Sequence, residues 1–303
     1  MDDKAQIKVW HDDEKAWWDR HGEYMTYQWT LTPSLNKIIR SQWTKDFTDF
    51  LCCEKGTLLD LGCGGGWLSL TFAGKGMVVL GLDISDEQIK LANSLSNKAG
   101  LENLKFICTD IIGWDYAEYR ETFDSIFVNA FLHHLSPVEV EMIFKMIDYV
   151  LKKNGKCYLY EPLTTNNNKV SRLIMVIDSV IELIIGFLIG TIPDHLKLRS
   201  FRHQKALMKG YVMQSPHEAP VNIDLIKQIL PDSLSIMETK GWHLYSIGFG
   251  MQIMSLKESV QGLFTHIARL LYRVDHIVLT YFKWEAFAKK DRFILCSIKL
   301  VKK

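Results

Sequence analysis

The chain has 303 residues, 48% of them hydrophobic and 23% charged, which suits a packed globular protein and excludes an intrinsically disordered one. Its 36 basic residues against 35 acidic leave a formal charge of +1, so no overall field draws it to a polyanion and no nucleic-acid partner is expected. The six cysteines, Cys52, Cys53, Cys63, Cys108, Cys157 and Cys296, form no C-x-x-C pair, and several lie in apolar runs. That pattern points to reduced core thiols in a cytoplasmic protein rather than to disulfides or a zinc site.

Residues 1–50 hold five of the nine tryptophans, Trp10, Trp17, Trp18, Trp29 and Trp43, interleaved with His11, His21, Tyr24 and Tyr27. They read as an aromatic-rich helical arm, either packed on the domain or acting as a lid that closes over a ligand and excludes water. The amino terminus is acidic and lacks a basic segment leading into an apolar core, so it does not read as a secretory signal.

Residues 51–303 read as one domain. It opens on TLLDLGCGGGWL at 57–68, an apolar run ending in Asp60 and followed by Gly62, Gly64, Gly65 and Gly66. Unbroken apolar residues predict a strand buried on both faces, and a glycine turn between strand and helix lets a ligand lie against bare backbone. Further strand-like runs, MVVLGLD, LKFICTD, FDSIFVN and KCYLYE, alternate with helix-like stretches and predict a parallel sheet covered on both sides. Asp60, Asp83, Asp110, Asn129 and Glu161 then gather along its carboxyl edge, where open α/β sheets bind ligands.

Beyond the fifth run the pattern loosens. Residues 173–192 match a bilayer in length, but Asp178 and Glu182 share a helical face, which favours a capping, core-packed or interfacial helix over a span. Helical phasing returns at 221–230, and 233–249 reads as a strand bent at Gly241. Residues 254–288 read as helix with Arg269, Arg273 and Lys283 among apolar residues, a pattern of either a solvated face or a membrane-surface helix. Residues 291–301 read as the closing strand. Helical insertions are thus expected at about 163–230, after the fifth strand, and at about 252–290, between the sixth and seventh.

A glycine-rich turn also serves dinucleotide enzymes, but from Gly62 the third glycine position of G-x-G-x-x-G falls on Trp67, and from Gly64 on Ser69. An acid just before the turn suits a ligand that presents cations. With LLDLGCGGG followed by GLD at Asp83, CTD at Asp110 and FDSIFVNAFLHHL, the chain resembles class I S-adenosylmethionine-dependent methyltransferases of the small-molecule type. The match runs from 57 to 162, with motif spacings of 23 residues from Asp60 to Asp83 and 27 from Asp83 to Asp110.

The resemblance implies a doubly wound, mostly parallel, seven-stranded Rossmann-like α/β sheet and S-adenosyl-L-methionine as cofactor. It implies that Asp60, Gly62, Cys63 and Gly64 hold the methionine portion, that Asp83 accepts the ribose hydroxyls, and that Asp110 receives the adenine amine between Ile84 and Ile111. Asn129 and Ala130 would line the methionine side. A carboxylate at a strand end can instead cap the next helix, and Asp86 fits that role better than a ligand site. His133, His134 and Glu161 are the candidate bases if the acceptor is a hydroxyl. No His/Cys/Asp cluster has metal-ligand spacing, so no metal is expected. His195, His203, His217 and Glu218, with the aromatics of the arm, are candidates for the acceptor pocket.

The expected reaction is direct methyl displacement onto an oxygen, nitrogen or carbon of a small, planar or lipid-like metabolite. Peripheral membrane contact through 173–192 or 254–288 is a further expectation. The alternatives are a non-catalytic binder of the same fold and an NAD-dependent oxidoreductase.

Overall fold

Runs of apolar residues become strands here because helices cover both faces of the sheet they form. The computed structural model describes residues 3–31, 43–52, 55–166, 180, 215–243, 258–281, 283–288 and 294–303. Its sheet comprises β1 (Thr57–Leu61), β2 (Val78–Asp83), β3 (Leu104–Cys108), β4 (Phe123–Asn129), β5 (Leu151–Thr164), β6 (Val221–Asn222), β7 (Leu234–His243) and β8 (Ile294–Lys302). The strand order is β3-β2-β1-β4-β5-β8-β7, with β6 beside the end of β5. Strands β1 to β5 are parallel, and β8 runs antiparallel to both of its neighbours.

This is the expected doubly wound, mostly parallel sheet, with seven strands on its main path. The two-residue β6 is an addition, taken from the start of a stretch whose phasing is helical. The bend expected at Gly241 is a register shift between Gly241 and His243.

Among the described residues, these α-helices surround the sheet: α1 (Asp3–Leu31), α2 (43–51), α3 (Trp67–Ala73), α4 (Asp86–Ala99), α5 (Pro137–Val150), α6 (Ile223–Ile229) and α7 (Glu258–Tyr281). Successive strand residues feed two cores. Leu59, Leu61, Ile126, Val128 and Leu159 pack against α5 and α6, while Leu58, Phe127, Tyr158 and Tyr160 pack against α2 and α3. Phe127 and Tyr158 are fully buried and stacked at 5.8 Å, and each stabilises the fold by about 1.5–3 kcal/mol.

The arm expected over 1–50 divides in two. Trp43, on α2, is only 4% exposed and packs on Phe47 and Tyr160, so it belongs to the core and not to a lid. Composition could not separate it from Trp10, Trp17 and Trp18, which lie on α1. That helix packs along α4, where Gly22 sits so close that a Cβ would fall 2.1 Å from Gln88 Nε2.

The described part of the insertion after β5 contains β6 and α6. Residues 173–192, apart from 180, together with His195 and His203, lie outside the described residues. Helix α7 occupies the interval between β7 and β8. Among the described residues no helix is long and apolar enough to cross a membrane. The described cysteines are all free thiols, and Cys53 lies outside the described residues.

Candidate active site

The turn after β1 is tight because Gly62 and Cys63 both donate their N–H to the Leu82 carbonyl of β2, each at 2.9 Å. Gly62 has φ of +69°, and a Cβ there would lie 2.8 Å from Phe131 Cβ, so no other residue fits without a shift. Asp60, inside β1, is 1% exposed and accepts a hydrogen bond from Ser69 Oγ at 2.5 Å. Burial, opposed by that bond and reinforced by the charge of Asp83, pushes its carboxyl up to about 7. A buried acid in that state favours a nearby cation, as the resemblance implies for the methionine ammonium.

At the end of β2, Asp83 accepts from Gly64 N (2.8 Å) and Ser85 N (2.9 Å), which fixes the glycine turn to the β2–α4 junction. Burial raises its pKa, while the Ser85 and Gly64 N–H groups and the charge of His134 work the other way. Each carboxylate oxygen retains a second lone pair, enough for two ribose hydroxyls. Ser85 is the N-cap of α4 and Asp86 lies in its first turn, the position the sequence suggests for Asp86.

At the end of β3, Asp110 caps a short 3-10 turn by accepting from Ile112 N at 3.0 Å. That turn sends the Ile111 side chain into the core at 4% exposure. Ile112, and not Ile111, joins Ile84 and Asp110 in lining a groove of about 590 Å³ between α1 and the ends of β2 and β3.

Four α1 side chains span this edge. His11 Nδ1 lies 2.7 Å from Asp110 Oδ2, and Nε2 lies 2.6 Å from Glu139 Oε1. The bonds to Asp110 and then Glu139 outweigh burial and raise the ring's pKa to about 10, so it is a doubly donating imidazolium at neutral pH. Lys15 pairs with Asp86 at 2.6 Å, and Asp19 accepts from Ser85 Oγ at 2.6 Å. Glu14, 6% exposed, accepts from His217 N at 3.1 Å and lies 3.3 Å from His134 Nδ1.

The second half of the edge lies beyond β4. Ala130 leaves that strand with φ of +52°, a conformation that costs a non-glycine residue about 1–3 kcal/mol and is held by its N–H bond to Tyr160 O at 2.8 Å. Asn129, its neighbour, is half-buried at the strand end. Glu161 is fully buried, with Oε1 accepting from Phe131 N and Leu132 N at 2.8 and 2.9 Å and Oε2 bonded to His133 Nδ1 at 2.7 Å.

Those bonds brace His133 and the 131–133 backbone on Glu161. His133 Nε2 lies 3.0 Å from Glu218 Oε1. Burial opposes charge on the His133 ring, but the bonds to Glu161 and Glu218 prevail and raise its pKa to about 9. His134 Nδ1 is 2.7 Å from Ser215 Oγ, and Trp10 Nε1 donates to the His134 carbonyl at 3.0 Å.

His133, His134 and Glu218 each bring one donor atom within 4.8 Å of the others, a group able to hold a metal ion. His134 and Glu218 stand 84 positions apart in the chain, so spacing could not reveal it. Glu14 and Ser215, equally part of this cluster, carry no sequence signal at all.

A glycine turn on a buried acid, followed by strand-end acids on β2 and β3 of a doubly wound sheet, is the arrangement the sequence resemblance implies. Residues 58–155 match the family model described as methyltransferase domain. A ubiquinone biosynthesis O-methyltransferase from Vibrio atlanticus is 28% identical over 58% of this chain and 68% of its own length. Two solved structures share the fold. The [4+2]-cyclase SpnF superposes with a TM-score of 0.53 at 14% identity, covering 86% of this chain and 80% of its own. The geranyl diphosphate C-methyltransferase from Streptomyces coelicolor A3(2) gives 0.52 at 11%, covering 87% and 80%. The protein is a class I S-adenosylmethionine-dependent methyltransferase that acts on a small molecule. The dinucleotide alternative falls with that assignment.

Proposed function

We propose that the acceptor is an apolar small molecule methylated on a hydroxyl oxygen, and that it meets the protein at His133 and His134. The observation that carries this is the buried histidine pair at the exit of β4. One ring is held by Glu161, and the other lies under α1 between Ser215 and Glu14. A hydroxyl, unlike an amine, must lose a proton as it attacks, so it needs polar groups at the reacting end of the cleft. The activity named for the Vibrio relative, O-methyl transfer, favours the same choice.

In this reading the cofactor lies along the edge from Asn129 and Ala130 to Asp110. Asp60 faces its ammonium, Gly62, Cys63 and Gly64 its methionine backbone, Asp83 its ribose, and Asp110 with Ile84 and Ile112 its adenine. The acceptor oxygen attacks the sulfonium methyl in line. The O–C bond forms as the S–C bond breaks, sulfur keeps the electron pair as S-adenosylhomocysteine, and the acceptor's proton leaves. Because the methyl is already activated, the chain contributes alignment and dryness, worth up to about 7–11 kcal/mol. Helix α1 is the lid that supplies the dryness, and His11 latches it to Asp110 and Glu139.

Incubation with methyl-labelled cofactor and matched apolar phenols and amines tests the reading. Label is expected in the phenol, and transfer to amines alone would overturn it.

One observation favours a second element. Helix α7 exposes Leu270 (61%), Ile277 (55%) and Tyr281 (79%) beside Arg269 and Arg273, a face suited to an anionic membrane from which an apolar acceptor could be drawn. Flotation with anionic liposomes at low salt is expected to carry the protein, and its absence there would remove this element.

A further inference from the structure

We propose that His133, His134 and Glu218 form a binding site for one divalent transition-metal cation, with an open position for the acceptor's oxygen. The inference rests on the hydroxyl reading above and deepens it, since it names what activates the hydroxyl.

Three features of the cluster carry it. The first is donor geometry. One atom from each side chain lies within 4.8 Å of the others, and His133 Nε2 is already 3.0 Å from Glu218 Oε1. Ligands of a tetrahedral ion bound at roughly 2.0–2.2 Å sit about 3.3–3.6 Å apart. A rotation of the Glu218 carboxylate, whose side chain is 20% exposed, adjusts its oxygen to that spacing. The backbone is in place, because Ala219 N donates to the His133 carbonyl at 2.8 Å and holds the 215–220 segment beside the histidines.

The second is the outer shell. A ligating imidazole needs its remaining nitrogen anchored, and both rings are anchored through Nδ1. His133 is held by Glu161 at 2.7 Å, with Glu161 itself pinned by two backbone N–H groups. His134 is held by Ser215 Oγ at 2.7 Å, with Glu14 at 3.3 Å behind it. Both rings therefore present Nε2, the arrangement in which carboxylate partners orient histidines and strengthen them as ligands.

The third is charge. Glu14, Glu161 and Glu218, with side chains 8%, 0% and 20% exposed, converge on two imidazoles. Three buried or nearly buried carboxylates around two rings leave an excess of negative charge even when both rings are protonated, and a dication offsets it. Two nitrogen donors and one oxygen suit zinc, manganese, iron(II) or cobalt better than the all-oxygen preference of calcium and magnesium. Three protein ligands leave a coordination position free, and an oxygen bound there loses its proton near neutral pH. That oxygen, its proton released to solvent, then attacks the sulfonium methyl carbon, the O–C bond forming as the S–C bond breaks and S-adenosylhomocysteine leaving with the electron pair.

The test is equilibrium dialysis of the chelator-stripped full chain against Zn2+ and Mn2+, with elemental analysis of the bound metal. One equivalent per chain is expected. Affinity should fall by at least about 100-fold in His134→Ala and in Glu218→Gln, and by about 10–100-fold in Glu161→Gln through the outer shell. Circular dichroism shows which variants remain folded, and Glu218→Gln, the most exposed of the set, keeps the test valid if the buried variants do not. Absence of stoichiometric metal in the stripped and reloaded wild type, or equal affinity in Glu218→Gln, would overturn the site. Metal bound as expected while only amines are methylated would leave the site standing and overturn the hydroxyl reading alone. Phenol methylation that persists in the stripped protein would overturn the activating role.

Discussion

The two halves of the sheet edge are built in opposite ways. Around β1 to β3, the candidate groups take bonds from residues near them in the chain, Asp83 from Ser85 N and Gly64 N, Asp110 from Ile112 N and Asp60 from the Ser69 side chain on the next helix, with His11 of α1 as the distant partner of Asp110. Around β4 and β5, each group is held by a side chain from far away in the chain: His133 by Glu161 and Glu218, His134 by Ser215 and Glu14. A local scaffold tolerates change elsewhere, which suits a cofactor common to many enzymes. A scaffold assembled from distant segments can be rebuilt segment by segment, which suits an acceptor site that differs between enzymes of one fold.

The sharpest way to break this contrast is at Asp83. Asp83→Ala removes acceptors for two ribose hydroxyls, each bond to a charged group being worth about 1.5–3 kcal/mol, so cofactor affinity should fall by roughly 10²–10⁴-fold. Calorimetric titration with S-adenosylmethionine checks it, and an unchanged dissociation constant would show that Asp83 is only the cap for Ser85 and Gly64. The next effect belongs to the other half. His134→Ala should lower kcat by about 10²–10⁴-fold with cofactor affinity little changed, the signature of a group that acts on the acceptor. Equal losses in both halves from either variant would erase the distinction drawn between them.

The same contrast explains what the amino-acid sequence reveals. Asp60, the glycines, Asp83 and Asp110 are legible because motif spacing reflects strand and helix lengths, and the strands are legible because burial on both faces leaves no polar interruption. Ile111 turns into the core and Ile112 lines the groove because a 3-10 turn follows Asp110, which motif spacing does not show. Trp43 reads as part of the same aromatic arm as Trp10 because aromatic density does not show which surface a ring faces. Glu161 could be placed at its strand end, yet its two N–H donors and its imidazole partner come from 131–133, so its role as a brace was hidden. The Glu14, Ser215 and Glu218 contacts join segments with no common periodicity, and nothing short of the fold brings them together.

Helix α1 crosses both halves, so its latch tests whether they close together. The His11 pKa is raised from 6.5 to about 10 by Asp110 and Glu139, against burial. A raised basic group contributes fully below its unfolded value and loses that contribution as pH climbs through the folded one. The latch should therefore hold at pH 6.5 and below, as far as the carboxylates stay ionised, and weaken from 6.5 to 10. Asp110 and Glu139, whose pKa values are lowered despite burial by their bonds to His11, set the acid limit. Fluorescence of Trp10, Trp17 and Trp18, all on α1, should report progressive release between pH 6.5 and 10. His11→Ala should abolish that transition and lower amide protection of α1 by about 10–100-fold.

The smallest effect expected on the same helix comes from Lys15. Its ammonium lies 2.6 Å from Asp86, as short as the His11–Glu139 contact, and distance alone would rank the two pairs as equals. Exposure separates them: the Asp86 side chain is 57% exposed, whereas the Glu139 side chain is 3% exposed. Water screens the first pair, and such surface pairs contribute about 0–1 kcal/mol, so Lys15→Ala should change α1 protection by less than about fivefold and fade further in high salt. Hydrogen exchange on the two variants, at low and high salt, places them on one scale. If Lys15→Ala loosened α1 as much as His11→Ala, the helix would be held by its exposed charges rather than by the imidazole at the meeting point of β3 and α5.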